Sequence, residues 1–184
     1  MFDKDFSLYG IHANYLKDLC ELRANVPDRE QHNNFKIFQA YIDAYILCPL
    51  IGYQYSRRIP MGSASDGEAG ILLDAITKRK NELKYVYQTL MLIDEESEPD
   101  PDKRVFRAFK LSEDTDEGKQ MVAENMKIYN EYFIGGIDVL HKEFVEQCLD
   151  EDSYIRKIYE FTKSFYEEQD GDALKASIDK FINQ

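Results

Sequence analysis

A long helical pattern between Glu117 and Cys148 constrains the fold of this chain more than any other feature of its sequence. Its large apolar residues recur at spacings of three and four: Val122, Met126, Tyr129, Phe133, Leu140, Phe144 and Cys148. That period is typical of an α-helix with one buried face. Gly135 and Gly136 lie in the middle of this helix, where each costs about 1 kcal/mol relative to alanine. We therefore predict that another backbone packs closely against the two glycines.

Three other stretches show the same period, and they are residues 10–23, 35–58 and 71–94. Pro49 lies inside the second stretch, and it predicts a kink in preference to a division into helices over 35–48 and 49–58. Shorter helices are predicted over residues 103–111, 154–166 and 174–182. Since no segment shows the alternation of a strand, the sequence predicts an all-α fold, a single-domain helical bundle over residues 1–184. The 117–148 helix should contact the helices at 35–58 and 71–94.

Two connections are predicted to be mobile loops, near residues 59–70 and 94–103. The first contains three glycines but lacks the Gly-Lys-Ser/Thr ending of a phosphate-binding loop and a preceding apolar strand. The second has six acidic residues in the nine positions of 94–102, without the glycine turn and terminal glutamate of a calcium-binding loop. Neither segment therefore predicts a phosphate or metal site.

The distribution of charge bears on the class of partner. The net charge is −12, and residues 96–184 hold 22 of the 35 acidic residues. Since nucleic-acid binding depends on lysine and arginine displacing counterions from phosphates, an acidic surface disfavours direct contact with DNA. No signal peptide and no apolar run long enough to span a bilayer is evident, so we expect a cytoplasmic protein without a membrane segment.

Cysteine and histidine give no metal or catalytic motif. Cys20, Cys48 and Cys148 are far apart in apolar helical contexts, which favours reduced core thiols. The histidines lie on separate segments without metal-binding spacing, and we interpret them as surface or helix-capping residues. No Ser/His/Asp or Cys/His arrangement can be built, so nothing supports an enzyme, a cofactor or a metal.

Four arginines beside large apolar residues are the candidate binding residues: Arg57, Arg58, Arg104 and Arg107. A guanidinium can fork onto a carboxylate inside the protein or onto a phosphate outside it. Because the chain contains many acidic residues, we expect these arginines to pair with carboxylates inside the protein. In the 103–111 helix, the pattern predicts that the apolar side chains at 105, 106 and 109 pack inward and that the basic ones at 104, 107 and 110 share another side.

Four segments carry a resemblance to a known group of proteins: residues 50–60, 87–94, 104–110 and 129–140, the last with the run Tyr-x-x-Gly-Gly-Ile-x-x-Leu. Over residues 35–146 the chain resembles small proteins encoded beside bacterial DNA-phosphorothioation (Dnd) genes and in similar phage-defence islands. The resemblance implies an accessory role in defence against foreign DNA. It implies no catalytic residues.

Two function classes follow. The first is a non-enzymatic accessory or adaptor that contacts protein partners through exposed aromatic and acidic helix faces. This class includes an acidic mimic of DNA that occupies the DNA-binding site of a partner. The second is a small binder of nucleic acid or a phosphate ligand that uses the arginines. The charge favours the first, and homo-oligomerisation is compatible with either.

Overall fold

The computed structural model describes residues 1–20, 36–148 and 150–169. Its strands are β1 (Phe6–Tyr9) and β2 (Glu68–Ile71). Its α-helices are α1 (Ile11–Leu19), α2 (Tyr41–Gln54), α3 (Leu73–Lys78), α4 (Lys80–Ile93), α5 (Pro101–Val105), α6 (Asp116–His141) and α7 (Glu151–Gln169). Single π-helical turns at Phe106–Lys110 and Lys142–Glu146 follow α5 and α6, and Ala64–Asp66 form a short 3₁₀ turn. The predicted helix at 174–182, and the predicted end of the first helix near residue 23, lie outside the described residues.

The long helix α6 is the centre of the fold, as the sequence predicts. Thr115 caps its N-terminus, where its hydroxyl accepts a 3.0 Å hydrogen bond from the Gly118 amide. The predicted apolar stripe lies in the core, with Tyr129 and Phe133 fully buried. The helix packs most extensively against α2 and also contacts α1 and α4. The predicted contacts of the long helix are therefore confirmed.

Close backbone packing explains the glycines of α6. A Cβ atom on Gly136 would overlap the carbonyl oxygen of Cys48 in α2, and one on Gly135 would overlap the carbonyl oxygen of Arg57. The contact is reciprocal, because a Cβ on Gly52 of α2 would overlap the carbonyl oxygen of Tyr132 in α6. The conformational cost of glycine in a helix is offset here by contacts that no larger residue permits. Since α2 continues through Pro49, the proline does not divide it.

A two-stranded antiparallel sheet corrects the prediction of an all-α fold. β1 pairs with β2 in a register that places Phe6 opposite Ile71 and Leu8 opposite Ala69. Leu8, Ala69 and Ile71 are buried, so one face of this sheet joins the core. Strands of four residues are too short to show a clear alternation, and their pairing joins distant parts of the chain. β2 takes up the end of the 59–70 connection, and the predicted mobility of that connection stays a prediction.

The predicted helix at 71–94 is two helices, because α3 ends at Lys78 and α4 begins at Lys80. Arg79 lies at the break, where its guanidinium forms a 2.9 Å ion pair with Asp43 of α2 and a second ion pair with Glu82. No helix in the described part of the chain is both long enough and apolar enough to cross a bilayer.

The segment at 103–111 is reversed relative to its prediction. α5 ends at Val105, and the π-helical turn closes with a 3.0 Å hydrogen bond from the Leu111 amide to the Phe106 carbonyl. Arg107 and Ala108 are buried, while Phe106 and Phe109 are exposed.

Candidate functional site

Arg57 belongs to a polar cluster on the C-terminal half of α6. Its Nε and Nη2 atoms each lie 3.0 Å from Oδ2 of Asp138, and Nζ of Lys142 donates to the same oxygen at 2.8 Å. Nε2 of His12, from α1, lies 3.6 Å from Oδ1 of Asp138. We call these four residues the Asp138 cluster. Three groups that can carry positive charge thus surround one buried carboxylate.

Burial and charge act in opposite directions on the pKa values of the cluster. Burial tends to raise the pKa of Asp138, but the hydrogen bonds and charges of Lys142 and Arg57 outweigh it, and the pKa lies below its ordinary value. For His12, burial lowers the pKa, and the opposing effect of Asp138 does not compensate. His12 is therefore a neutral imidazole against an ionised carboxylate at neutral pH. The sequence did not predict this cluster, because its members come from three distant segments.

His141 lies beside the cluster in a second polar arrangement. Its ring stacks on Tyr15 of α1, with 3.7 Å between ring centroids and 11° between planes. Its Nε2 lies 3.3 Å from Asp18 and its Nδ1 lies 3.2 Å from Glu146. His141 thus joins α1 to the end of α6, which is a structural role.

Arg58 is held between α6 and the connection that precedes α5. Its Nε and Nη2 donate to Oε2 of Glu131 at 3.2 and 2.6 Å, and its Nη1 donates to Ser97 Oγ at 2.9 Å. The guanidinium carbon lies 5.3 Å from the ring centroid of Tyr132, within cation–π range. Most of the hydrogen-bonding capacity of Arg58 is therefore used within the protein.

Arg104 organises the connection after α4. Its Nη1 donates to the carbonyls of Glu98 and Pro99, both at 3.0 Å, and its Nη2 forms a 3.0 Å ion pair with Glu95. Arg58 contacts the same connection at Ser97, so the structure brings these two arginines to one loop. They fix that loop.

Arg107 differs from the other three arginines. It is 8% exposed, and its Nε donates to Oδ1 of Asn125 at 2.9 Å while its Nη2 lies 3.2 Å from Sδ of Met91. Asn125 in turn donates to the hydroxyl of Tyr87 at 3.1 Å. Burial raises the pKa of Tyr87, and the Asn125 hydrogen bond and the nearby Arg107 charge oppose that effect. Both of these Arg107 partners are neutral.

The four predicted binding residues therefore do not act as one patch. Arg58 and Arg104 meet at residues 95–99, Arg57 binds in the Asp138 cluster, and Arg107 is buried against α4 and α6. Only Arg107 lacks a carboxylate partner within residues 1–20, 36–148 and 150–169.

A cavity of about 470 Å³ lies between the N-terminal segment and α6. Its walls include Phe2, Phe6 and Met126, and its polar lining includes the Tyr45 hydroxyl, which donates to Asn130 at 2.9 Å. The volume falls in the range of small-molecule sites. The lining also includes charged residues, which are Asp3, Lys4, Asp5, Glu113, Lys119, Lys127 and Glu131.

An exposed apolar surface lies on the segment that contains Arg107. Val105, Phe106 and Phe109 are 38%, 42% and 57% exposed. We call these three residues the 105–109 surface. Large apolar side chains exposed together are typical of protein-binding sites.

Metal chemistry gains no support from the described residues, where no group of three or more histidine, cysteine, aspartate or glutamate side chains could hold an ion. Comparison with known proteins gives no family model, curated protein or solved structure that matches the chain.

Proposed function

We propose that the chain is a non-enzymatic accessory protein of the cytoplasm that acts by binding a protein partner. The observation that carries the proposal is the 105–109 surface. In that segment the chain buries an arginine and leaves Phe106 and Phe109 42% and 57% exposed, which is the reverse of the usual distribution of these residue types. Such an arrangement is favourable when a partner covers the aromatic side chains.

The setting that we propose is a bacterial defence system, and it rests on the sequence resemblance described above. An accessory protein in such a system needs contact with other protein components and no active site of its own. The scattered arrangement of the arginines supports this role over phosphate binding, because carboxylates already occupy Arg57, Arg58 and Arg104. A phosphate ligand would have to displace them.

Copurification tests the proposal. A tagged chain is expressed in the cells from which it comes, and the proteins retained by wild type are compared with those retained by a Phe106→Ser/Phe109→Ser variant. The matched control is Leu72→Ser/Tyr159→Ser, which also removes two exposed apolar side chains, 69% and 66% exposed, from other surfaces. Thermal unfolding of each purified variant checks that the fold is intact.

We expect wild type and the control to retain the same partner at a fixed ratio, and the Phe106→Ser/Phe109→Ser variant to lose it. A partner retained equally by all three would show that the 105–109 surface is not the binding site. Sedimentation velocity of the purified chain distinguishes a second copy of this protein from a different protein as the partner.

A further inference from the structure

The cavity between the N-terminal segment and α6 has an apolar interior. Phe2, Ile76 and Val122 line it and are buried. Phe6, also in the lining, stacks on the buried ring of Tyr45 with 4.6 Å between ring centroids. A ligand in the cavity therefore contacts aromatic and aliphatic side chains, and the burial of such surface favours an apolar molecule.

The N-terminal segment that forms one wall of the cavity is held in place at two points. The ring of Phe2 packs edge-on against Tyr129 and Tyr45, at 5.7 and 6.3 Å between centroids. Oδ1 of Asp5 accepts a 2.6 Å hydrogen bond from the Leu73 amide. Phe2 has a φ of 54°, which a phenylalanine rarely adopts, and the packing of its buried ring offsets the cost of that conformation. The wall is therefore formed before a ligand binds.

The charges that line the cavity lie at its mouth and are balanced. Of the seven charged side chains, all except Glu131 are exposed. Their four carboxylates are matched by three lysines and the N-terminal ammonium. Three of these cations already have carboxylate partners: the ammonium pairs with Glu113 at 2.7 Å, Lys119 with Asp116 at 3.0 Å, and Lys127 with Glu131 at 3.8 Å. An ion in the cavity would lose hydration without gaining a net opposite charge.

Asn130 supplies a hydrogen-bond donor in the lining. Its Oδ1 accepts from the Tyr45 hydroxyl at 2.9 Å, which fixes the orientation of the amide. Among the described residues, none accepts a hydrogen bond from its Nδ2, and Nδ2 is not one of the buried atoms that lack a partner. Since an amide nitrogen carries two N–H donors, Asn130 can donate to an acceptor on a ligand while it keeps its bond to Tyr45.

We infer that this cavity binds an uncharged, largely apolar small molecule that presents a hydrogen-bond acceptor, such as a carbonyl oxygen, to Asn130. The apolar part of the ligand lies against Phe2, Phe6 and Val122, and the acceptor receives the N–H of the amide. None of the described residues that line the cavity belongs to the 105–109 surface. The inference is therefore independent of the proposed function.

Four compounds with one framework test the chemistry of the ligand. Benzophenone is uncharged and has a carbonyl acceptor, and diphenylmethane lacks that acceptor. Para-benzoylbenzoate adds a negative charge to benzophenone, and para-aminomethylbenzophenone adds a positive one. Displacement of the uncharged fluorescent probe N-phenyl-naphthylamine from the full chain measures the affinity of each compound.

Three variants test the place of binding. Ala123→Trp fills the cavity from an exposed position in its lining, and Gln120→Trp is the control, at an exposed position of α6 outside the lining. Asn130→Asp keeps the oxygen that accepts from Tyr45 and removes the N–H donors. Thermal unfolding checks the fold of each variant. Irradiation of bound benzophenone links it to nearby C–H groups, and mass spectrometry then identifies the linked residues.

We expect wild type to bind benzophenone about three- to tenfold more tightly than diphenylmethane, the effect of one neutral hydrogen bond. Both charged compounds should bind more weakly than benzophenone, because they bring an ion against a lining without net charge. Ala123→Trp should lose binding of the probe and of benzophenone, while Gln120→Trp keeps both. On Asn130→Asp, benzophenone should lose its advantage over diphenylmethane. The cross-links should lie on lining residues such as Met126.

Several results would overturn the inference. Equal affinities of wild type for benzophenone and diphenylmethane would remove the role of Asn130. Tighter binding of either charged compound would assign the cavity to an ion, and equal binding by wild type and Ala123→Trp, or cross-links outside the lining, would place the ligand elsewhere. Failure of benzophenone to displace the probe up to its limit of solubility would also refute the site. The comparison of the four compounds on wild type carries the test if Asn130→Asp does not fold.

Discussion

The hydroxyl of Tyr129 donates a 2.8 Å hydrogen bond to the backbone carbonyl of Tyr45. In an unbroken helix that carbonyl would accept from the amide of residue 49, but Pro49 has no N–H to donate. α6 thus supplies the donor that α2 lacks. Both tyrosines are buried, so water cannot take over the role.

This relationship predicts the effect of Tyr129→Phe. The substitution keeps the ring and removes the hydroxyl that donates to the Tyr45 carbonyl, so the free energy of unfolding should fall by about 1–3 kcal/mol. Urea unfolding followed by circular dichroism measures it. Tyr85→Phe, at a residue that is 71% exposed, is the control and should have no effect.

A double-mutant cycle tests the cause. In a Pro49→Ala background the new amide can donate to the Tyr45 carbonyl, so Tyr129→Phe should then cost clearly less than it does in wild type. An equal cost in both backgrounds would mean that the hydroxyl stabilises the protein in some other way.

The glycines at the contact between α2 and α6 give the second prediction. Gly136→Ala should lower the free energy of unfolding by about 1–3 kcal/mol, because its Cβ cannot fit against Cys48 without moving one helix. Gly136→Leu should cost at least as much. Gly70→Ala in β2 is the control, since the nearest atom to its Cβ would be the Phe6 carbonyl oxygen at 4.0 Å. A wild-type melting midpoint for Gly136→Ala would contradict the close packing.

How far the sequence predicts the structure depends on the length of each pattern. α6 and α2 have apolar stripes over many turns, and their glycines indicate the contact between them. The stretch at 103–111 covers only two or three turns, and so short a pattern predicted neither its π-helical turn nor the face that packs inward. β1 and β2 are shorter still. Their pairing also depends on contacts that no local pattern contains.

The Asp138 cluster shows the same limit for the candidate site. Its residues come from α1, from the end of α2 and from α6, so their proximity follows from the packing of three segments. The residue types were visible in the sequence, but the distances between them were not. The role of Arg107 as a binding residue stays a prediction, while its predicted direction was wrong.

The cluster predicts how stability depends on pH. The pKa of His12 is lower in the folded chain than its ordinary value of 6.5, so the unfolded chain binds the proton more tightly. The contribution of a neutral His12 is therefore fully present above about pH 6.5 and is lost as the pH falls below it. The pKa of Asp138 is also lower in the folded chain than its ordinary value of 3.8. Its contribution to stability is therefore also lost as the pH falls, but only below about pH 3.8.

Urea unfolding between about pH 5 and pH 7.5 checks the prediction for His12. His12→Gln should flatten the dependence of the unfolding free energy on pH in this range. His141→Gln is the control for the loss of a histidine at a neighbouring position, between Asp18 and Glu146. A His12→Gln variant with the full wild-type slope would contradict the assignment.

The cysteines give a prediction about reactivity. Burial raises the pKa of Cys20 to about 12 and raises the pKa values of Cys48 and Cys148 as well. Since the thiolate is the reactive form, a chromogenic disulfide reagent should modify the folded chain slowly at neutral pH. All three thiols should react rapidly in denaturant. Fast modification of a single cysteine in the folded chain would identify a thiol that is more accessible than the structure indicates.

Weak binding to DNA is the prediction with the greatest consequence for function. At about 0.15 M salt, labelled duplex and single-stranded DNA should show no change in anisotropy with the purified chain at up to about 10 µM. Non-specific affinity grows with the number of phosphates that are neutralised. Asp138, Glu131 and Glu95 already hold three of the four arginines, and the net charge of −12 repels the rest of the strand.

Two charge-reversal variants make this prediction specific. Arg57→Glu/Arg104→Glu removes two of the candidate binding residues, and Lys80→Glu/Lys84→Glu makes the same change of charge on the exposed side of α4. If wild type binds DNA at micromolar concentration and only the arginine variant loses that binding, the adaptor role is wrong and the arginines form a nucleic-acid site. If both variants lose it equally, the binding reflects net charge and not a site. With no binding in wild type, the proposed protein partner is the interaction to search for next.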